Sequence, residues 1–227
     1  MTGLVIAIDG PAGTGKSTVA REVARRLKLA YLDTGATYRV ATLACMRDGV
    51  DLGNADDVIA MAETMNLEMI LDPDNPLVLL DGEDVSKYIR TDDVALQVSK
   101  VATNLGARAV LGRFQRSLIS NELHGGYSSG RGVVAEGRDI TTVIAVDAPV
   151  RVLMTADEEV RVARRAAEGA DTAAVRDAVL GRDQHDATVA EFHTAADGVH
   201  SLDTTNLSID QAVQAIIALA EKAVVAP

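Results

Sequence analysis

Gly10-Pro11-Ala12-Gly13-Thr14-Gly15-Lys16-Ser17 ends a glycine-rich run on a lysine and a hydroxyl residue, at the spacing G-x-x-x-x-G-K-[ST]. Those residue types in that order can hold phosphates. Glycines let the chain wrap closely round an anion, successive N–H groups point inward, and a helix starting at the end of the run adds its positive pole. Lys16 would neutralise β and γ oxygens and Ser17 would ligate Mg²⁺, so the phosphate-binding set runs from Gly10 to Thr18. A turn that only caps a helix needs no Lys followed by Ser. The run implies a nucleoside triphosphate, with ATP and Mg²⁺ expected. It does not separate a kinase from a switch GTPase or a motor ATPase, which hold phosphates in the same way.

The elements around the run have the order that this chemistry requires. Leu4 to Ile8 is a short continuous apolar run, as suits a parallel strand buried on both faces. From Ser17 onward Val19, Val23 and Leu27 recur every fourth residue beside Ala20 and Ala24, with Arg21, Glu22, Arg25 and Arg26 on the other face, which predicts an amphipathic helix. Ala30-Tyr31-Leu32 reads as the next strand. Val133-Val134-Ala135, Val152-Leu153-Met154 and Val199 to Leu202 read as further strands, and Ser208 with Gln211 forms a capping-box pattern opening a last helix. Between them, Leu67 to Leu71 and Leu77 to Leu80 flank Pro73 and Pro76, which predicts a small antiparallel hairpin inserted in the α/β frame.

Asp33-Thr34-Gly35-Ala36-Thr37-Tyr38-Arg39 follows the second predicted strand, so it should lie at the carboxyl end of the sheet beside the cradle. The segment resembles the D-[ST]-G-x-x-Y-R motif of bacterial cytidylate kinases, a branch of the nucleoside monophosphate kinases. The resemblance continues through Gly82-Glu83-Asp84-Val85-Ser86, Ile89-Arg90-Thr91, Glu136-Gly137-Arg138-Asp139, Asp147-Ala148-Pro149-Val150, Arg182-Asp183 and Asp203-Thr204-Thr205. These anchors span nearly the whole chain.

The resemblance implies transfer of the γ-phosphoryl group of ATP to CMP or dCMP. It assigns Thr34, Arg108 and Asp139 to the cytosine ring, Ser99, Arg182 and Asp186 to the sugar, and Arg39 and Arg138 to the monophosphate. Cytosine fits such a set, because its O2 and N3 can accept from an arginine and its exocyclic amine can donate to a carboxylate. Arg161 and Arg165, four apart in Glu158 to Glu168, resemble the arginines of the family's lid, which with Lys16 and Arg138 make up the catalytic set. Read without the family, Arg39 and Arg138 are surface charges paired with carboxylates, and Arg161 and Arg165 are a solvated helix face. Ser99 and Thr34 equally suit local backbone caps. Asp33 suits either magnesium, through an ordered water, or the cap of the next helix.

The chain also departs from the family pattern. Asp186 is followed by Ala187-Thr188-Val189, where the family usually carries an arginine at the position of Val189 and then a Pro-Leu pair. Arg138-Asp139 is followed by Ile140-Thr141-Thr142, where Ile-Gly-Thr is common, and the segment between Arg165 and Arg182 is shorter than usual.

The length of 227 residues fits one α/β domain. The expected fold is a three-layer P-loop kinase with a parallel core sheet (1–35 and 130–227), an acceptor-binding arm with a small antiparallel element (about 36–129) and a short lid (about 158–186). Lys and Arg number 22 against 33 Asp and Glu, and a net charge of -11 argues against nucleic acid as a partner. Cys45 stands alone, which fits a reducing compartment, and no basic leader or spanning run is visible, so a cytoplasmic monomer is expected. The four histidines show no zinc-type spacing. Other readings are a kinase for UMP, AMP or another small acceptor, and a catalytically weak nucleotide-binding protein.

Overall fold

The structure, a computed structural model, describes residues 3–167, 188–190, 192 and 194–225. Its core is a five-stranded sheet of β1 (Leu4–Asp9), β2 (Ala30–Asp33), β6 (Gly132–Gly137), β7 (Val150–Thr155) and β8 (His200–Asp203), in the order β2-β6-β1-β7-β8. Every pairing is parallel. β6 lies between β1 and β2, so the two strands that flank the glycine-rich run are not neighbours, and the end of β6 is delivered to the middle of the site.

Successive residues of β1 feed opposite faces, as the pleat requires. Ile6 and Ile8 pack with Val19 and Val23 of α1 (Lys16–Leu27) and with Val213 and Ile216 of a C-terminal helix, α7 (Ile209–Val225). Val5 and Ala7 face the other way, toward Ile119, Ile140 and Ile144. Ile119 belongs to α5 (Leu105–His124), which covers that face and completes three layers. Each fully buried isoleucine in this core contributes roughly 1.5–3 kcal/mol. The predicted capping box on α7 is formed: the Ser208 N–H donates to Gln211 Oε1 at 2.8 Å and the Gln211 N–H to Ser208 Oγ at 3.2 Å.

Residues 34–104 build the remaining mass. The helix α2 (Thr34–Arg47) has 10 buried residues out of 14, so it shows no single apolar stripe and must be packed on more than one side. Tyr38, Ala41 and Cys45 meet α3 (Ala55–Thr64), α4 (Asp92–Ala102) and α5, while Ala36, Val40 and Ala44 meet the insert. Asn54 and Asn104 cap α3 and α5 by accepting from first-turn N–H groups. The insert is antiparallel as expected, and a third short strand joins the hairpin: β3 (Leu67–Ile70), β4 (Leu77–Leu80) and β5 (Glu83–Asp84). Its tip is tied to α1 through Arg25 and Asp74 at 2.7 Å, and the Tyr31 N–H of β2 donates to the Leu71 carbonyl at 2.9 Å. The outer edge of the core sheet is thereby partly covered. No helix among the described residues is long and apolar enough to cross a membrane.

Candidate active site

The glycine-rich run leaves β1 at Asp9 and enters α1 at Lys16. Gly10, Gly13 and Gly15 have φ of 150°, 80° and 90°. A Cβ on Gly10 would stand 2.1 Å from the Met154 carbonyl oxygen of β7, and one on Gly13 would stand 2.6 Å from the Arg161 carbonyl oxygen of α6 (Glu158–Ala166). The loop therefore threads a gap that side chains at these two positions would fill. Thr14 Oγ1 and Lys16 Nζ both donate to the Pro11 carbonyl, each at 3.0 Å, which holds the loop in a compact turn with the ammonium over it. Gly15 is the N-cap of α1 and brings no side chain to the first-turn N–H groups, as an anion site at a helix terminus requires.

The helix α6 lies against this cradle. Arg161 is 8% exposed and donates to the Ala12 carbonyl at 3.1 Å, whereas Arg165, one turn on, is exposed. Arg164, which sequence reasoning passed over, reaches the Thr14 carbonyl at 3.4 Å and the Thr204 carbonyl at 2.7 Å, so it braces the cradle from behind. Its signal was present in the Asp203-Thr204-Thr205 anchor, but only the fold places that anchor beside Thr14. The remainder of the expected lid, with Arg182 and Asp186, lies outside the described residues.

A second functional residue missed from sequence is Glu136, at the end of β6. It is 4% exposed, and its Oε1 accepts from Ser17 Oγ at 2.6 Å and from the Tyr31 hydroxyl at 3.2 Å. Burial raises its pKa from the ordinary carboxylate value, the nearby Asp33 adds to the rise, and Lys16, Ser17 and Tyr31 oppose it. Asp33 faces Glu136 across the β2–β6 ladder. One Asp33 oxygen caps α2 by accepting from the Ala36 N–H at 3.1 Å, and the other meets Arg90 at 3.1 Å. The capping role open from sequence is thus filled, while the same carboxylate remains beside Ser17 and Glu136.

On the acceptor side, Arg108 of α5 makes an ion pair with Asp139, buried to 14% and 6% side-chain exposure, and its guanidinium lies 5.6 Å from the centre of the Tyr38 ring. Burial pushes the Asp139 carboxyl up, Arg108 pulls it down, and a neighbouring Asp9 pushes it up again. The Thr34 hydroxyl donates to the Glu136 carbonyl at 2.8 Å, so Thr34 stands at the strand end that leads to Arg138 and Asp139. Gly137 permits that approach, since a Cβ there would meet Thr34 Oγ1 at 2.3 Å. Arg39 is buried and donates to the Ile89 carbonyl at 3.1 Å. The Arg138 guanidinium lies 4.5 Å from the centre of the fully buried Phe192 ring. Ser99 is half-buried on α4, with its carbonyl accepting from Thr103. A cleft of about 500 Å³ runs from Ser17 and Asp33 past Arg90 to the insert; Arg39, Arg108, Arg138 and Asp139 do not line it, so it is a gap between core and insert.

Comparisons with known proteins identify the family. A family described as Cytidylate kinase matches residues 6–222. The cytidylate kinase of Cutibacterium acnes is 44% identical, covering 95% of this chain and 95% of that protein. The cytidylate kinase of Corynebacterium glutamicum is 42% identical, covering 96% and 95%. Among solved structures, an uncharacterized protein from Eubacterium ventriosum aligns with a TM-score of 0.50 at 14% identity, over 96% of this chain and 98% of that one, and this likeness concerns the fold alone. With a family match across almost its whole length and relatives above 40% identity, the chain belongs to the cytidylate kinase family.

Proposed function

We propose that the chain transfers the γ-phosphoryl group of ATP to CMP or dCMP, giving ADP and CDP or dCDP. The observation that carries this reading is the buried Arg108–Asp139 pair at the carboxyl end of the same sheet that ends in the Gly10–Ser17 cradle. The guanidinium can donate to O2 or N3 of cytosine and the carboxylate can accept from its exocyclic amine. Uracil presents a carbonyl to that carboxylate, so UMP is the poorer acceptor.

In the reaction an oxygen of the acceptor monophosphate attacks the γ-phosphorus in line, and the bond to the β–γ bridging oxygen breaks. The attacking oxygen is already ionised, so no strong general base is needed. Arg39 and Arg138 hold the monophosphate in position. Lys16 and the cradle N–H groups neutralise charge on the β and γ oxygens, with Arg161 and Arg165 added from α6 and the lid. The residues near Ser17 fit Mg²⁺: a hydroxyl, the buried carboxylate of Glu136 and the flanking Asp33 offer few hard oxygen ligands, which suits an ion that keeps waters and substrate phosphates. When bound it supplies charge neutralisation at the transferring phosphoryl group. We further read residues 36–129 as the acceptor arm, residues 158–186 as the lid and the protein as a cytoplasmic monomer, consistent with its buried unpaired Cys45.

A coupled assay of ADP release over CMP, dCMP, UMP and AMP tests the proposal. CMP and dCMP should give the highest kcat/KM; equal rates with UMP or a preference for AMP would remove the cytosine assignment.

A further inference from the structure

Asp9 is the last residue of β1 and the immediate predecessor of Gly10, and its side chain reaches the segment that follows Asp139. It is 1% exposed. Its Oδ1 accepts from the Ile140 N–H at 2.9 Å, and its Oδ2 accepts from the Thr141 N–H and from Thr141 Oγ1, both at 2.7 Å. Thr141 is itself 3% exposed. A buried carboxylate that accepts three hydrogen bonds from two consecutive residues fixes both position and orientation of that peptide.

The peptide in question follows Asp139 directly. Asp139 is the residue before the π-helical turn Ile140–Ile144, and its carbonyl accepts from the Val143 and Ile144 N–H groups at 2.9 and 3.1 Å. The turn is therefore held at its start from two sides, through the Asp139 carbonyl and through the N–H groups that Asp9 receives. Arg138 and Asp139 lie between β6, whose Gly137 is in register with Asp9, and this anchored turn. A shift of Asp139 along the sheet would carry Ile140 with it and strain the bonds to Asp9.

We propose that Asp9 and Thr141 form a positioning clamp that sets the Asp139 carboxylate for the acceptor base and ties acceptor recognition to the root of the phosphate cradle. The inference rests on the reading of Asp139 as the cytosine-facing group. Thr141 is then no casual departure at a position where glycine is common in the family. Its hydroxyl supplies a third bond to a carboxylate that its backbone alone would leave less fully satisfied.

The test uses the full chain with Thr141→Val, Thr141→Ser, Asp9→Asn and Asp139→Asn, and measures KM for CMP, UMP and ATP, kcat and the melting temperature. Thr141→Val, which keeps shape and removes the hydroxyl, should raise KM for CMP about tenfold and narrow the CMP-to-UMP ratio of kcat/KM, with KM for ATP unchanged. Thr141→Ser should recover most of that loss. Asp9→Asn should act in the same direction more strongly, because an amide has one acceptor oxygen and would turn its NH2 group toward a donor that the second carboxylate oxygen serves. A purely structural role predicts a lower melting temperature with unaltered acceptor KM and ratio, and that result overturns the clamp, as does failure of Thr141→Ser to recover. Asp139→Asn separates the two readings. Lost discrimination there beside an unaffected Thr141→Val overturns the clamp alone, and retained discrimination overturns the base-pocket reading and the clamp with it.

Discussion

Arg39 of α2 and Arg108 of α5 both donate to backbone carbonyls, and their surroundings give them different information to read. Arg108 is paired with Asp139, so it belongs to a donor and acceptor pattern that a base edge can match. Arg39 is a buried cation on α2 beside Ile89, and a phosphate contact from it carries no information about the base. Arg39→Ala should therefore raise KM for CMP and UMP alike, by about tenfold or more, and leave their ratio unchanged. A base-selective loss in steady-state kinetics would contradict the assignment. Glu136 gives a pH-dependent prediction. Because burial raises its pKa in the folded chain, the native state keeps the proton to higher pH than the unfolded chain does. Unfolding between the two values then releases protons, and the contribution of this group to stability falls as pH rises through that window. Glu136→Gln keeps the acceptor for Ser17 and Tyr31 without the buried charge. It should melt above the parent near pH 7.5, with the gap closing toward about pH 4.5, while turnover drops at least about tenfold. A variant that melts lower at neutral pH would show that Lys16 and Ser17 hold the ionised form favourably.

At the scale of elements, α6 and the cradle loop are fitted through backbone contact. Gly13 and Gly15 both hold positive φ, yet only Gly13 faces the α6 backbone, and an added Cβ on Gly15 meets no protein atom within 4 Å. Alanine at either site should suffer the dihedral strain of about 1–2 kcal/mol. Gly13→Ala must in addition push α6 away, which disturbs the bonds of Arg161 and Arg164 to Ala12 and Thr14. Its melting temperature should therefore fall further than that of Gly15→Ala, by at least about 2–4 °C for a chain of this size. Equal melting temperatures would mean that α6 moves freely against the loop. The elements of the core were largely legible beforehand because each buries a face whose period appears in the residues: Leu4 to Ile8, Val19 to Leu27, and the capping box at Ser208. The helix α2 was not outlined in this way, since it is buried on two sides and carries the weak periodicity of an enclosed helix. β5 is only two residues long and exposed, below what any alternation can signal.

At the scale of the whole molecule, residues distant in sequence close on the Arg138–Asp139 turn from three directions: Asp9 from β1, Arg108 from α5, and Phe192 from the stretch that precedes β8. Phe192 is fully buried with Arg138 over its ring. A cation on a desolvated aromatic face gains about 2 kcal/mol, so Phe192 orients the guanidinium that we assign to the acceptor phosphate. Phe192→Leu should raise KM for CMP and UMP together, by about fivefold to twentyfold, and Phe192→Tyr should retain most of the affinity. A lower melting temperature with unaltered KM would confine Phe192 to packing.

The sequence by itself determined the cradle and the strand–loop–helix unit that carries it, because that chemistry is local: eight consecutive residues supply the glycines, the cation and the hydroxyl, and adjacent periodicities supply the supports. It also determined family membership, since the anchors recur in order along nearly the whole chain. The partners of those anchors were decided only by tertiary structure. That Glu136 receives Ser17, that Asp9 grips Thr141, and that Arg164 braces Thr14 depend on β6 entering the sheet beside β1 and on α6 lying against the loop. Strand order and helix docking are set by burial of faces across more than a hundred residues, and no spacing within the sequence encodes which buried carboxylate will face which donor.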